Sequence, residues 1–122
     1  MREILFRGKR VDNGEWVVGS LSTEYYQKHG VVIICPSEDE AYKVNPSTVG
    51  QYTGLTDKNG KKIFEGDIIF DPEIKENYIV EFDKGGFCAG DMFLQAYISF
   101  DEFSCEVIGN IYDNPELLED EE

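Results

Sequence analysis

Short runs of alternating apolar and polar residues, separated by glycine-containing turns, constrain this fold more than any other feature. Asn13-Gly14, Asn59-Gly60 and Gly85-Gly86 each lie between two such runs. No stretch sustains the 3.6-residue apolar period of an amphipathic helix. Many short strands joined by glycine turns are typical of a barrel or a sandwich. The pattern therefore predicts a mainly β protein with little helix.

The chain is expected to open with a β-hairpin. Residues 3–7 alternate in the way of a half-buried strand, and residues 16–21 supply the return strand. Between them, Asn13-Gly14 predicts a type I′ turn, in which both central residues take positive φ.

The remaining elements follow from similar patterns and from turn residues. A strand buried on both faces is predicted at 31–35, ended by Pro36, and residues 22–30 fit either a short helix or a loop. Further strands are predicted at 48–55, 61–64, 67–70, 78–82, about 93–100 and 105–112, with one helical turn at 114–118. We expect a single domain, 1–122: an N-terminal hairpin subdomain (1–47), a barrel-like part (48–118) containing a small bent β-barrel at about 48–112, and an acidic tail (119–122).

Acidic side chains are concentrated in the second half of the chain. The formal net charge is −14, yet residues 1–62 hold nine Lys/Arg against eight Asp/Glu, and residues 63–122 hold two against seventeen. Such a surface repels phosphate backbones, which disfavours direct nucleic-acid binding.

Cysteine usage and hydropathy predict a cytoplasmic protein. Cys35, Cys88 and Cys105 are far apart and odd in number, so neither a disulfide framework nor a zinc site is indicated. No apolar run approaches the 18 residues that a membrane helix needs, and residues 1–7 return to charge too soon for a signal-peptide core.

Three segments carry a family resemblance. They are residues 1–7 (MREILFR), 51–69 (QYTGLTDKNGKKIFEGDII) and 106–118 (EVIGNIYDNPELL). Together they resemble the YopX-like family of phage and prophage proteins. The resemblance implies a mainly β protein encoded by a phage or a prophage, and it supplies no catalytic residues.

Two groups of residues are candidates for an interaction site. Arg2, Arg7, Lys9 and Arg10 form a basic cluster in an acidic chain, where they are either a solvated hairpin or a contact for the acidic end of another copy. Glu65 and Asp67 flank Gly66, and either they bind a cation or Gly66 makes a tight bend at which Asp67 accepts local backbone hydrogen bonds.

No motif for catalysis or for a cofactor is recognised. His29 is the only histidine, and a nucleophile–base pair with Cys35 or Cys105 is the weakest hypothesis. Glycines 85, 86 and 90 lack the lysine and helix of a phosphate-binding loop, and we interpret them as turn residues.

Three function classes are compatible with these observations. The leading one is a non-enzymatic phage accessory protein that acts through protein–protein contacts, with a host or phage protein or as a homo-oligomer. The second is an acidic DNA mimic that binds a host DNA-binding protein. The third is a metal-dependent hydrolase using Asp67 with Glu81 or Asp83.

Overall fold

The computed structural model describes residues 4–22, 32–83, 85–90, 92–94 and 105–118. Over these residues the chain is mainly β, as predicted. The strands are β1 (Phe6–Lys9), β2 (Trp16–Ser22), β3 (Val32–Ser37), β4 (Glu40–Val44), β5 (Gly50–Thr56), β6 (Lys62–Phe64), β7 (Asp67–Asp71), β8 (Glu76–Asp83), β9 (Gly86–Ala89), β10 (Met92–Phe93) and β11 (Glu106–Asn110). Short 3₁₀ helices occupy Pro46–Thr48 and Pro115–Leu118, the second within the predicted helical turn. Ser22 is the last residue of β2, and the question of helix or loop over the rest of 22–30 lies outside the described residues, as does most of the strand predicted at about 93–100.

The strands form two antiparallel sheets. Their orders are β4-β3-β2-β1-β5-β6 and β10-β9-β8-β7-β11. In the described pairings the first and last strands of a sheet are not joined, so the small bent barrel at about 48–112 is not confirmed. The chain divides into two compact units, Met1–Tyr52 (unit 1) and Thr53–Glu122 (unit 2). That these make up one domain stays a prediction.

The first hairpin forms, but its turn differs from the one predicted. Arg10 N–H donates to Glu15 O at 2.9 Å, which leaves a four-residue loop instead of a two-residue turn. Gly14 takes a φ of +75°, whereas Asn13 is not among the described residues with positive φ. The predicted type I′ turn was therefore wrong, because in this four-residue loop only Gly14, the fourth residue, takes positive φ.

Strand β3 also continues further than the sequence suggests. It runs through Pro36 to Ser37, and the β3–β4 register shifts between Ile34 and Ser37. A proline cannot donate to the sheet, and an irregularity in the pairing is a place where that loss is tolerated. The polar residues after Pro36 form the turn into β4, a strand that the sequence patterns did not predict.

Unit 1 has a small apolar core under close backbone packing. Val17, Ile34 and Val44 are buried, with Phe6, Leu21, Val32, Tyr42 and Val49 packed around them. A Cβ at Gly8 would lie 3.0 Å from Val44 Cβ. The absence of a side chain at Gly8 therefore allows Val44 to pack directly against the backbone of β1. At Gly19 a Cβ would lie 2.3 Å from the Cys35 carbonyl oxygen.

Unit 2 has a larger core and several buried carboxylates. The core side chains are Ile63, Ile69, Val80, Ala89, Leu94, Cys105 and Val107. Asp57, in the predicted turn at 57–60, accepts hydrogen bonds from the N–H groups of Asn59 (2.8 Å), Lys61 (2.9 Å) and Val107 (2.9 Å). One carboxylate therefore shapes the turn and connects it to β11, fifty residues further on.

Candidate interaction surfaces

Strand pairing in unit 1 places basic and aromatic side chains on one face of the sheet. Arg7 and Lys9 alternate along β1 and pair with Val18 and Trp16 of β2. Directly opposite residues of an antiparallel pair share a face. The Arg7 guanidinium carbon lies 4.7 Å from the centre of the Trp16 ring, and Lys9 Nζ lies 5.6 Å from it. Both cations are thus within cation–π range of the same indole.

The same face continues across β3 and β4. Ser20, two residues after Val18, pairs with Cys35, and Ile33, two residues before Cys35, pairs with Lys43. Lys43 is exposed. Apart from Glu40, which pairs with Ser37 beyond the β3–β4 register shift, no Asp or Glu occurs in the described pairings of these strands. We call it the cationic face and define it by Arg7, Lys9, Trp16, Val18 and Lys43.

Arg10 does not belong to the cationic face. It follows Lys9 directly, so its side chain points to the other side of the strand. Its guanidinium carbon lies 4.2 Å from the centre of the Tyr42 ring, which packs against the unit 1 core. Its Nη2 also contacts Asp12 Oδ2 at 2.7 Å, and this hydrogen bond raises the pKa of Arg10 and lowers that of Asp12. The structure thus brings together Arg7 and Lys9 of the predicted basic cluster, while Arg2 lies outside the described residues.

Asp67 has the local backbone role that the sequence offered as an alternative to cation binding. The carboxylate is 2% exposed, and its Oδ2 accepts a 2.7 Å hydrogen bond from the Phe64 N–H. Gly66 makes the bend, with a φ of +95°, and its N–H donates to Val80 O. Glu65 is half-buried in the same turn. The bend begins β7 and leaves Asp67 inside the unit.

The carboxylates of the hypothetical hydrolase do not converge. Ile69 pairs with Tyr78, so Asp67 shares the sheet face of Tyr78, whereas Glu81 and Asp83 point to the opposite face. Among the described residues, no group of three or more His, Cys, Asp or Glu side chains is placed to hold a metal ion.

The hypothetical thiol–histidine pair also lacks a suitable nucleophile at Cys105. That side chain is 2% exposed, and burial, helped by the charges of Asp57 and Asp71, raises the pKa of its thiol to about 11. His29 lies outside the described residues. All three cysteines are free thiols.

In unit 2 the glycines at 85, 86 and 90 act as hairpin residues. Gly85 and Gly90 take φ values of +84° and +66°. Gly86 begins β9, and a Cβ there would lie 3.1 Å from the Phe93 ring. Cys88 of β9 pairs with Phe93 of β10 on one side and with Glu81 of β8 on the other. Glu81, Asp83 and Phe93 therefore share one face, which we call the acidic hairpin face.

A comparison with protein-family models shows to which family the chain belongs. The model described as YopX protein matches residues 5–119. The chain belongs to the YopX family. Membership associates it with phage and prophage proteins of unknown role, in agreement with the resemblance of the three sequence segments. Curated proteins offer no match to this YopX-family chain.

Solved structures include a similar fold. The crystal structure of protein EF1440 from Enterococcus faecalis matches with a TM-score of 0.66 at 25% sequence identity, covering 98% of this chain and 100% of that chain. The likeness extends over both units of the YopX-family chain. No helix among the described residues has the length and apolar character needed to cross a membrane.

Sequence reasoning missed three members of the cationic face of this YopX-family chain: Trp16, Val18 and Lys43. Lys43 lies on a strand that was not predicted, and it joins Arg7 and Lys9 only through the pairing of four strands. Trp16 was assigned to the return strand without a partner. The pairing of Lys9 with Trp16 depends on the four-residue loop, since the predicted two-residue turn would have placed Lys9 opposite Val18.

Proposed function

We propose that this phage-associated protein is a non-enzymatic accessory protein that acts through protein–protein contacts, and that its first partner is another copy of itself. The observation that carries the proposal is the cationic face of unit 1. Arg7, 9% exposed, and the half-buried Lys9 lie beside the Trp16 ring, while Lys43 and the 40% exposed Val18 are at the surface, so the face combines charge with apolar area. Arginine and aromatic side chains are enriched at protein interfaces.

The charge balance of the two units supports a copy of the same chain as the partner. Unit 1 contains six Lys/Arg and seven Asp/Glu, whereas unit 2 contains five and eighteen, a difference between −1 and −13. A cationic face on the nearly neutral unit is attracted to the acidic unit of a second molecule. Contact between different surfaces of two identical chains is a heterologous interface.

We propose that the protein acts in the cytoplasm of the bacterial host. The three free thiols support this compartment, because the cytosol keeps cysteines reduced. The acidity of unit 2 also favours, as a second candidate, a DNA mimic that binds a basic host protein. The two candidates differ in their first partner and can be separated with purified protein.

Light scattering coupled to size-exclusion chromatography tests self-association. We expect an oligomer at 50 mM salt that dissociates as salt is raised, because ionic contacts are screened. Reversing two charges of the cationic face, in Lys9→Glu/Lys43→Glu, should weaken association by about tenfold or more. The matched control Lys62→Glu/Lys75→Glu makes the same change in net charge on unit 2 and should weaken association much less.

A wild-type protein that stays monomeric across salt and concentration contradicts self-association. In that case, binding of a basic nucleic-acid-binding host protein through unit 2 would support the DNA mimic. Equal weakening by the test and control variants would mean that net charge matters and that the cationic face has no specific role.

A further inference from the structure

The hairpin formed by β8, β9 and β10 exposes large apolar side chains in the acidic unit 2. Phe82, Met92 and Phe93 are 56%, 42% and 47% exposed. Residues 76–93 contain four carboxylates and one lysine. Exposed aromatic side chains inside a ring of like charges are a common composition of protein interfaces.

The two faces of this hairpin differ in what they present. Phe82 pairs with Phe87, their ring centres 5.2 Å apart and nearly perpendicular, on the side that carries the unit 2 core residues Val80 and Ala89. The acidic hairpin face lies on the opposite side of the sheet. Only this second face combines an exposed ring with two carboxylates that point away from the core.

Phe93 is held in place by the backbone of the hairpin. Its ring lies over Gly86, where a Cβ would be only 3.1 Å away. Asp83 pairs with Gly86 across the hairpin, and Glu81 pairs with Cys88, the residue opposite Phe93. Two exposed carboxylates thus flank one exposed ring on three paired strands. Strand pairing fixes the backbone register of this surface, and a preorganised backbone lowers the ordering cost of binding.

We propose that the acidic hairpin face of one copy binds the cationic face of a second copy. This inference rests on the proposed self-association and identifies its second surface. Glu81 and Asp83 are opposite in charge to Lys9 and Lys43, and Phe93 supplies an apolar anchor for the exposed area of Val18 and Trp16. Each face thus combines apolar area with one sign of charge, and the signs are complementary.

The apolar anchor favours a second copy over a host DNA-binding protein. A surface that imitates a phosphate backbone needs spaced negative charge, whereas an exposed phenylalanine adds nothing to such imitation. It does match a face that carries a tryptophan and a valine between cations. The contact joins two different surfaces, so a copy that has lost one of them keeps the other.

A charge-exchange experiment tests the pairing of these two faces. The hairpin variant is Glu81→Lys/Asp83→Lys, and the face variant is Lys9→Glu/Lys43→Glu. Each alone should self-associate at least tenfold more weakly than wild type. A 1:1 mixture of the two should recover association to within about threefold, because the hairpin face of one variant and the cationic face of the other are intact. The quadruple variant, which carries all four substitutions in one chain, should also recover association, because the charges of its two faces are exchanged and remain complementary.

Matched controls separate pairing from net charge and from unfolding. Glu73→Lys/Glu116→Lys makes the charge change of the hairpin variant at two other exposed positions of unit 2 and should associate like wild type. Tryptophan fluorescence and thermal unfolding verify that each variant is folded. Sedimentation velocity measures the association constants of the variants and of the mixture.

The outcomes distinguish this inference from the function on which it rests. If the face variant is weakened and the hairpin variant associates like wild type, self-association stands and the acidic hairpin face is not its second surface. If both variants are weakened and neither the mixture nor the quadruple variant recovers, the two faces do not pair, and the inference is overturned. A monomeric wild type overturns both proposals.

Discussion

The two units of this protein use charged side chains in opposite ways. In unit 2, Asp57, Asp67 and Asp71 are 7%, 2% and 6% exposed, and each accepts at least one backbone N–H. In the described part of unit 1, no carboxylate is buried. Its cations Arg7, Lys9 and Arg10 instead lie beside aromatic rings, with Arg7 buried and the other two half-buried.

This difference changes how the net charge is interpreted. The formal charge of −13 on unit 2 includes three carboxylates that organise backbone and are withdrawn from the surface. A charge count therefore overstates the acidity that a partner meets. The carboxylates that remain exposed are grouped locally, as on the acidic hairpin face. The charge on each face of a sheet therefore describes what a partner meets better than the net charge of the unit.

The largest expected effect is the loss of the Asp57 carboxylate. Asp57→Ala leaves the N–H groups of Asn59, Lys61 and Val107 without their acceptor, and the bond from Val107 is buried. We expect the free energy of unfolding to fall by about 3–5 kcal/mol. Urea denaturation followed by circular dichroism measures the change.

A unit 1 carboxylate provides the contrast for that result. Asp12 is paired with Arg10 at the surface, where solvent screens the ion pair and its contribution to stability is small. Asp12→Ala should therefore lower the free energy of unfolding far less than Asp57→Ala does. Equal losses in the two variants would break the distinction between the buried carboxylates of unit 2 and the surface charges of unit 1.

The next prediction concerns the thiol buried in the core of unit 2. Because the pKa of Cys105 is raised to about 11, its thiolate fraction at pH 8 is far below that of an ordinary cysteine. In the variant Cys35→Ser/Cys88→Ser, iodoacetamide should modify Cys105 at least about a hundredfold more slowly in the folded protein than in urea. Similar rates in the two states would contradict its burial.

A smaller effect is expected from crowding the backbone of unit 1. In Gly19→Ala the new Cβ would lie 2.3 Å from Cys35 O and 2.7 Å from Pro36 Cα, so β2 and β3 must move apart. The free energy of unfolding should fall by about 2 kcal/mol. Trp16 is the only tryptophan and lies in unit 1, so its fluorescence reports this loss directly. The neighbouring, exposed Ser20→Ala should change little.

Local patterns were enough to predict much of the fold but not the cationic face. Alternation and glycine turns predicted the first hairpin, the turn at 57–60 and strand β7, because these depend on neighbouring residues. The hydrogen bond from the Val107 N–H to Asp57 joins residues fifty positions apart, and no pattern of neighbouring residues predicts it. Lys43 likewise reaches the cationic face only through strand pairing. The family resemblance predicted the relationship, since it used three segments spread along the chain.

The smallest expected effect is the pH dependence that Asp57 adds to stability. Burial raises the pKa of Asp57, but the N–H groups of Val107, Lys61 and Asn59 lower it by more, so the pKa lies below its ordinary value. A carboxyl with a lowered pKa in the folded state stabilises the protein above its unfolded pKa of about 3.9, and this contribution is lost as the pH falls through the folded pKa. Asp57→Asn keeps one acceptor oxygen but cannot titrate. Between pH 6 and pH 3 the free energy of unfolding should therefore fall less in Asp57→Asn than in wild type. Urea titrations at both pH values measure this loss. An equal loss in wild type and in Asp57→Asn would contradict the role of Asp57 and would assign the acid sensitivity of unit 2 to its other carboxylates.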